Sequence, residues 1–120
     1  MSKGWISKTR EACKGNNNGY LYALINIGKN DGNVFDYSDD KNYHLNNQIE
    51  YIGITNNPVS RLNAHRCDKH KSKKIGMVIF DEPNEPTEGK MMEATAIYNY
   101  CKAKGQGPSL QKGHDTWAGA

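Results

Sequence analysis

Short runs of apolar residues alternate with longer polar stretches along this chain. Three of the runs have the composition of β-strands, being rich in aromatic and β-branched side chains and bounded by polar turns. They cover residues 20–27 (YLYALINI), 48–55 (QIEYIGIT) and 74–81 (KIGMVIFD). In the second run, a period of two places Ile49, Tyr51 and Gly53 on one face. We predict three strands, of which the first two are adjacent and antiparallel.

Two further segments are predicted to be helical. Asn57 is a suitable N-cap and Pro58 fits the first helical position, so we expect a helix over residues 58–69. A second helix is expected over residues 87–104, because Gly105 follows it at a position where glycine commonly ends a helix.

The order β-β-α-β-α predicts one α+β domain over residues 20–112, with a small, mainly antiparallel three-stranded sheet flanked by helices. Residues 28–47 are rich in Asn, Asp and Gly and are too polar for a core. We interpret them as an insertion, with a ragged hairpin as one form. Residues 1–19 are interpreted as an N-terminal extension, and residues 113–120 as a C-terminal tail.

Length and composition limit the class of protein. The 120 residues, 36% of them hydrophobic, suffice for one domain with one modest core. No stretch approaches the roughly 20 apolar residues that span a membrane. No signal-peptide core follows Met1, so we expect a cytoplasmic protein. The three cysteines form no CxxC pair, which favours reduced thiols over a disulfide framework.

The positive charge is concentrated in one segment. The net charge is only +3, but residues 53–75 contain six basic residues and one acid. The six are Arg61, Arg66, Lys69, Lys71, Lys73 and Lys74. Such a basic stripe is the electrostatic pattern of a protein that binds a phosphate backbone, and its binding should weaken steeply with salt. The ordinary alternative is a solvated helix face.

Several residues carry a resemblance to a known family. Tyr20-Leu21-Tyr22 lies in the first predicted strand, and Tyr51-Ile52-Gly53 lies in the second. Arg61 follows Gly53 by eight residues, His65 comes one helical turn later, and Glu93 lies on the second helix. Tripeptides alone prove nothing, but residues 51–66 together with Tyr22 and Glu93 form a specific pattern. In these residues the chain resembles the GIY-YIG nuclease superfamily, whose members cut DNA with the help of a divalent metal ion.

The resemblance implies roles for five side chains. Tyr22 would act as general base with help from His65, and Tyr51 would orient the water or the phosphate. Arg61 would bind the phosphate. Glu93 would hold Mg²⁺ or Mn²⁺, which would steady the 3′ leaving oxygen.

The residue types suit this chemistry, although each has an ordinary alternative. Arg61 and His65 are spaced i, i+4 and share a helix face, where they can also be surface side chains. A phenol is a poor base at neutral pH unless a nearby cation favours phenolate, and strand tyrosines usually serve packing. Glu93 shares a face with Ile97, so it is either cation-bound or at the rim of the core. His65 could also join Cys67 and His70 in a zinc site, but three ligands along one helix do not converge.

The chain departs from the family pattern at three places. Tyr20 replaces the first glycine, which is tolerable if that backbone needs no positive φ. The long gap between the two tripeptides is explained by the insertion at residues 28–47; similar insertions occur in restriction-enzyme members. Gln111, after Pro108-Ser109-Leu110, stands where the family usually has an asparagine, and we count it among the nucleic-acid-binding candidates.

Three roles stay open at this level. The first is a small restriction-type or phage-encoded endonuclease, which would need a homodimer to cut both strands at one site. The second is a structure-specific DNA repair nuclease. The third, from a different class, is a non-catalytic nucleic-acid-binding module, and Gln111 is the residue that favours it.

Overall fold

The computed structural model of this chain describes residues 15, 17–26, 35–38, 40, 42, 45, 49–65 and 75–109. Within them the order is β1 (Tyr20–Asn26), β2 (Phe35–Tyr37), β3 (Ile49–Thr55), α1 (Pro58–Ala64), β4 (Ile75–Asp81) and α2 (Gly89–Lys104). A short 3-10 helix, Pro86–Glu88, leads into α2. The three predicted strands and the two predicted helices are all present.

The sheet is built around β1. This strand pairs antiparallel with β3 on one side and with β4 on the other. β2 pairs in parallel with the far side of β4, which gives the strand order β2-β4-β1-β3. The predicted α+β class with a mainly antiparallel sheet is confirmed, and the structure adds a fourth, short edge strand.

That fourth strand comes from the polar segment interpreted as an insertion. β2 pairs with β4 of the main sheet and places Tyr37 beside Ile79. The Tyr37 side chain is only 8% exposed and belongs to the core. The expectation that residues 28–47 contribute nothing to the core was therefore wrong for Tyr37, because a three-residue strand suffices to bring one aromatic ring onto a buried face.

A β-bulge changes which residues of β3 share a face. The pairing with β1 shifts between Leu24 and Ile25, so that Tyr51 lies beside Leu24 whereas Ile49 lies beside Ile25. One extra residue in a strand inverts the alternation beyond it. The prediction that Ile49 shares the face of Tyr51 was therefore wrong, and Ile49 packs in the opposite core.

The two faces of the sheet bury different helices. α1 packs on the face that carries Tyr22 and Tyr51, through Leu62 and the half-buried Val59. α2 packs on the other face through Ala96, Ile97 and Tyr100. A seven-residue helix is unstable alone, and burial of a leucine such as Leu62 contributes about 2 kcal/mol that holds it in place.

The start of α1 and the end of α2 have the capping residues that the sequence predicts. The Asn57 side chain accepts a hydrogen bond from the backbone N–H of Ser60, and Pro58 is the first helical residue. At the other end of α2, Gly105 has φ of 82° and its N–H donates to the carbonyl of Cys101. The predicted continuation of α1 to residue 69 lies outside the described residues. Neither described helix has the length and apolar character needed to cross a membrane.

Candidate active site

The centre of the candidate site is the side chain of Tyr22 on β1. Tyr22 lies opposite Gly53 of β3 and is completely buried. A Cβ at position 53 would lie 2.5 Å from the Tyr22 phenol oxygen and 2.9 Å from Cε1 of Tyr51. Only glycine leaves room for these two rings. Gly53 of the second tripeptide is therefore required for steric reasons, because it leaves space for Tyr22 of the first tripeptide.

Tyr22 contacts a buried histidine from the helix that covers this face. Its phenol oxygen lies 2.9 Å from Nε2 of His65, at hydrogen-bond distance. His65 follows Ala64 at the end of α1 and is 1% exposed. A buried polar side chain usually needs a hydrogen-bond partner, and Tyr22 provides one for the imidazole.

Tyr51 completes an aromatic cluster with these two rings. It stacks on Tyr22 with ring centroids 6.1 Å apart and an interplanar angle of 18°. It meets His65 edge to face, with centroids 4.6 Å apart. Such contacts fix ring orientation as well as adding stability. The two tyrosines and the histidine therefore form one rigid unit.

Both phenols are held in the protonated form. Burial raises the pKa of Tyr22 far above its ordinary value, the neighbouring Tyr51 and Glu93 raise it further, and the charge of Arg61 lowers it. Burial and Glu93 also raise the pKa of Tyr51, against the opposing effect of Arg61. Arg61 was expected to favour phenolate character, but in this chain desolvation outweighs it.

Arg61 lies on α1 one turn before His65. Its side chain is exposed to solvent, whereas that of His65 is buried. The guanidinium is nevertheless close enough for its charge to lower the pKa of both phenols. The arrangement presents an accessible cation at the mouth of a buried cluster, where an anion entering from solvent would meet it first.

Glu93 influences the same cluster from the other side of the sheet. It is half-buried in the first half of α2, the helix that packs on the opposite face. Its negative charge still raises the pKa of both Tyr22 and Tyr51. β3 is the edge strand of the sheet, so a side chain from α2 can act past it. The carboxylate thus lies within electrostatic range of both tyrosines.

A single carboxylate in this position fits a hydrated divalent cation. Mg²⁺ commonly binds proteins through one or two carboxylates and takes its remaining ligands from water and substrate phosphates. Among the residues that the structure describes, no three His, Cys, Asp or Glu side chains form a metal cage. The donor set suits a cation shared between Glu93 and a bound phosphate.

The structure brings together five of the residues selected from the sequence: Tyr22, Tyr51 and His65 by direct contact, and Arg61 and Glu93 through their charges. The nucleic-acid-binding candidates Arg66, Lys69, Lys71, Lys73, Lys74 and Gln111 lie outside the described residues. Tyr20 begins β1 and pairs with Thr55 in ordinary strand conformation, so the missing first glycine requires no positive φ.

The sequence pattern alone did not reveal the steric role of Gly53. An antiparallel register that places a glycine opposite a tyrosine would have indicated it. That register is a non-local property of the paired strands, and the sequence pattern did not predict it.

The chemical groups at this site are those that phosphodiester hydrolysis uses: a proton acceptor, a guanidinium for phosphate charge and a carboxylate suited to a metal ion. They are the groups expected of a phosphodiester-cleaving nuclease. The chain belongs to the GIY-YIG family, because the model of the GIY-YIG catalytic domain matches residues 18–112. It is therefore an endonuclease domain and a phosphodiester hydrolase. No curated protein and no solved structure gives a significant match to this chain.

Proposed function

We propose that this chain is a metal-dependent endonuclease that hydrolyses phosphodiester bonds of DNA. The observation that carries the proposal is the 2.9 Å contact between the Tyr22 phenol and His65 Nε2, made where the charges of Arg61 and Glu93 both act. This contact joins two buried groups that can exchange a proton, and the solvent-exposed guanidinium of Arg61 lies close enough to act on the phenol.

The protonated state of Tyr22 favours a relay over a preformed phenolate. When the imidazole carries its proton on Nδ1, the Tyr22 O–H donates to the Nε2 lone pair. The phenol oxygen can then accept a proton from the attacking water while it passes its own proton to His65. His65 becomes the final acceptor, because an imidazole nitrogen with a free lone pair can take up a proton. Tyr22 begins and ends neutral.

The remaining groups act on the phosphate. Arg61 offers a planar, permanently charged fork that can bind two phosphoryl oxygens. Tyr51, fixed against both Tyr22 and His65, would orient the water or the phosphate. Glu93 would hold Mg²⁺ or Mn²⁺. When bound, that ion would supply charge stabilisation at the phosphate and at the 3′ leaving oxygen.

A plasmid-nicking assay tests the proposal. Supercoiled DNA is incubated with the protein in Mg²⁺, in Mn²⁺ and in EDTA. We expect cutting in either metal, none in EDTA and none by Glu93→Gln, which keeps the side-chain shape but removes the charge. Glu82→Gln, which changes an exposed glutamate in the loop after β4, is the matched control and should cut normally.

Binding measured on the same proteins separates the rival function. A non-catalytic binding module predicts that wild type and Glu93→Gln bind DNA equally and that neither cuts. Cutting in EDTA, or cutting by Glu93→Gln at the wild-type rate, would contradict the metal-dependent reading.

We also propose, as the finer role, a small restriction-type or phage-encoded enzyme acting as a homodimer. The support is that the segment interpreted as an insertion contributes β2 to the sheet, and that one such site cuts one strand at a time. A linear product that grows with the square of protein concentration would favour the dimer. Nicked circles alone at all concentrations would contradict it, and selective cutting of branched substrates would favour a repair nuclease instead.

A further inference from the structure

Gly53 and Ile54 are neighbours in β3 and face opposite sides of the sheet. Each contacts a residue of another element, Tyr22 of β1 and Gly89 of α2 respectively. Gly53 makes room for Tyr22 on one side. Ile54 lies on the other side, where the backbone of α2 begins. A Cβ at Gly89, the first residue of α2, would lie 3.2 Å from both Cγ1 and Cδ1 of Ile54. The start of α2 therefore lies so close to this strand that a Cβ at position 89 would make a tighter contact than most in proteins.

Ile54 has little room to yield at this contact. A Cβ at Gly19 would lie 3.2 Å from its Cγ1 and 3.4 Å from its Cδ1. The side chain thus lies between two glycines, one in the turn before β1 and one at the start of α2. A methyl group added at position 89 would move the beginning of the helix by a few tenths of an ångström more readily than it would move Ile54.

Glu93 follows Gly89 by one helical turn. Residues four apart on a helix lie on the same side of it. Glu93, whose charge raises the pKa of both tyrosines, therefore lies on the same side of α2 as the contact with Ile54. A change in how closely Gly89 approaches Ile54 becomes a change in where the carboxylate stands.

We propose that Gly89 and Ile54 are positioning residues, whose close contact sets the distance of Glu93 from the Tyr22–Tyr51 cluster and so the affinity of the site for its divalent cation. This inference rests on the proposed role of Glu93. Neither residue touches the substrate. Two adjacent residues of β3 would thus determine the positions of two groups of the site. Gly53 makes room for the Tyr22 phenol, and Ile54 fixes the position of the Glu93 carboxylate.

The test compares single and compensating substitutions. Gly89→Ala adds one carbon at the contact, and Ile54→Val removes one. We expect Gly89→Ala to raise the half-saturating Mg²⁺ concentration for cutting at least threefold. Mn²⁺ binding, followed by the loss of the electron paramagnetic resonance signal of the free ion, should weaken by a similar factor. The double variant should recover part of the loss in both values, because Ile54→Val removes Cδ1 from the contact and keeps Cγ1.

Two controls keep the outcome clear. Thr95→Ala changes an exposed residue of α2 two positions beyond Glu93, on another side of the helix, and should leave both values unchanged. Ile54→Ala removes the packing without adding an atom and should also weaken metal binding. It serves as the test if Gly89→Ala fails to fold by circular dichroism.

The outcomes distinguish this inference from the proposed function. If Gly89→Ala and Ile54→Ala both bind and use metal as wild type does, or if the double variant is no better than Gly89→Ala, the inference is overturned while Glu93 keeps its role. If Glu93→Gln itself leaves metal binding and cutting unchanged, the proposed function fails first.

Discussion

Replacing Gly53 by alanine tests the steric basis of the site directly. The added Cβ would lie 2.5 Å from the Tyr22 phenol oxygen and 2.7 Å from Cζ of the same ring. Non-bonded carbon atoms are normally separated by about 3.5 to 4.0 Å, so the ring must move by about 1 Å. Tyr22 is completely buried and hydrogen-bonded to His65, so it has no free space in which to move.

The magnitude follows from two costs. Overpacking a core costs about 1–3 kcal/mol. Separating the phenol from His65 leaves buried polar groups without their bond, at about 1–3 kcal/mol more. We therefore expect Gly53→Ala to lower the free energy of unfolding by roughly 2–6 kcal/mol. A misplacement of this size in a catalytic group should also lower the cutting rate about 100-fold.

Urea unfolding and plasmid nicking, measured on the same preparation at 25 °C, provide the two readouts. Gly105→Ala is the matched control, because its φ of 82° strains an alanine while no atom lies within 4 Å of the new Cβ. It should lose about 1–2 kcal/mol of stability through backbone strain and keep its activity. A Gly53→Ala protein that is as stable and as active as wild type would refute the reasoning.

Two further predictions concern pH and helix capping. The pKa values of Tyr22, Tyr51 and Tyr100 are raised by burial, so these phenols hold their protons more tightly in the folded than in the unfolded chain. Their stabilising effect is complete below about pH 10 and is lost as pH rises further, at up to about 1.4 kcal/mol per pH unit for each phenol. Urea melts from pH 9 to 11 should therefore show a smaller fall for Tyr22→Phe than for wild type, and an equal fall would contradict the burial argument. Asn57→Ala removes the side-chain acceptor 3.1 Å from the Ser60 N–H and should cost about 1 kcal/mol. An unchanged melting temperature would mean that this cap does not hold α1 in place.

Local sequence signals were sufficient for most of the elements. Asn57 and Pro58 indicated the start of α1, and Gly105 indicated the end of α2, because capping depends on residues adjacent in the chain. The three main strands were predicted to within one residue at each end, since burial on both faces makes them continuously apolar.

Non-local features were not predictable in the same way. β2 is three residues long and is stabilised by parallel pairing with β4, which lies about 40 residues further along the chain. The bulge that places Ile49 and Tyr51 on opposite faces depends on how β3 pairs with β1. The carbonyl of Ile49 also accepts a 3.4 Å hydrogen bond from the Tyr100 hydroxyl of α2. The sequence carries no local mark of either partner.

The sequence selected a set of candidate site residues but could not give their chemical state. Tyr22, Tyr51, Arg61, His65 and Glu93 were selected by their resemblance to the family pattern. The protonation of the phenols depends on how much solvent the folded chain excludes, and no spacing rule encodes that. The opposite placement of α1 and α2, with Glu93 acting past an edge strand, likewise depends on packing.

The bulge at the beginning of β3 has a consequence for how such an enzyme can diversify. From Tyr51 onward, β3 takes its alignment from β1, whereas Ile49 belongs to a shifted pairing. A change in the length of the segment between β1 and β3 meets this irregularity before it reaches Tyr51. The segment can therefore change in length while the alignment of Tyr51 and Gly53 with β1 is preserved.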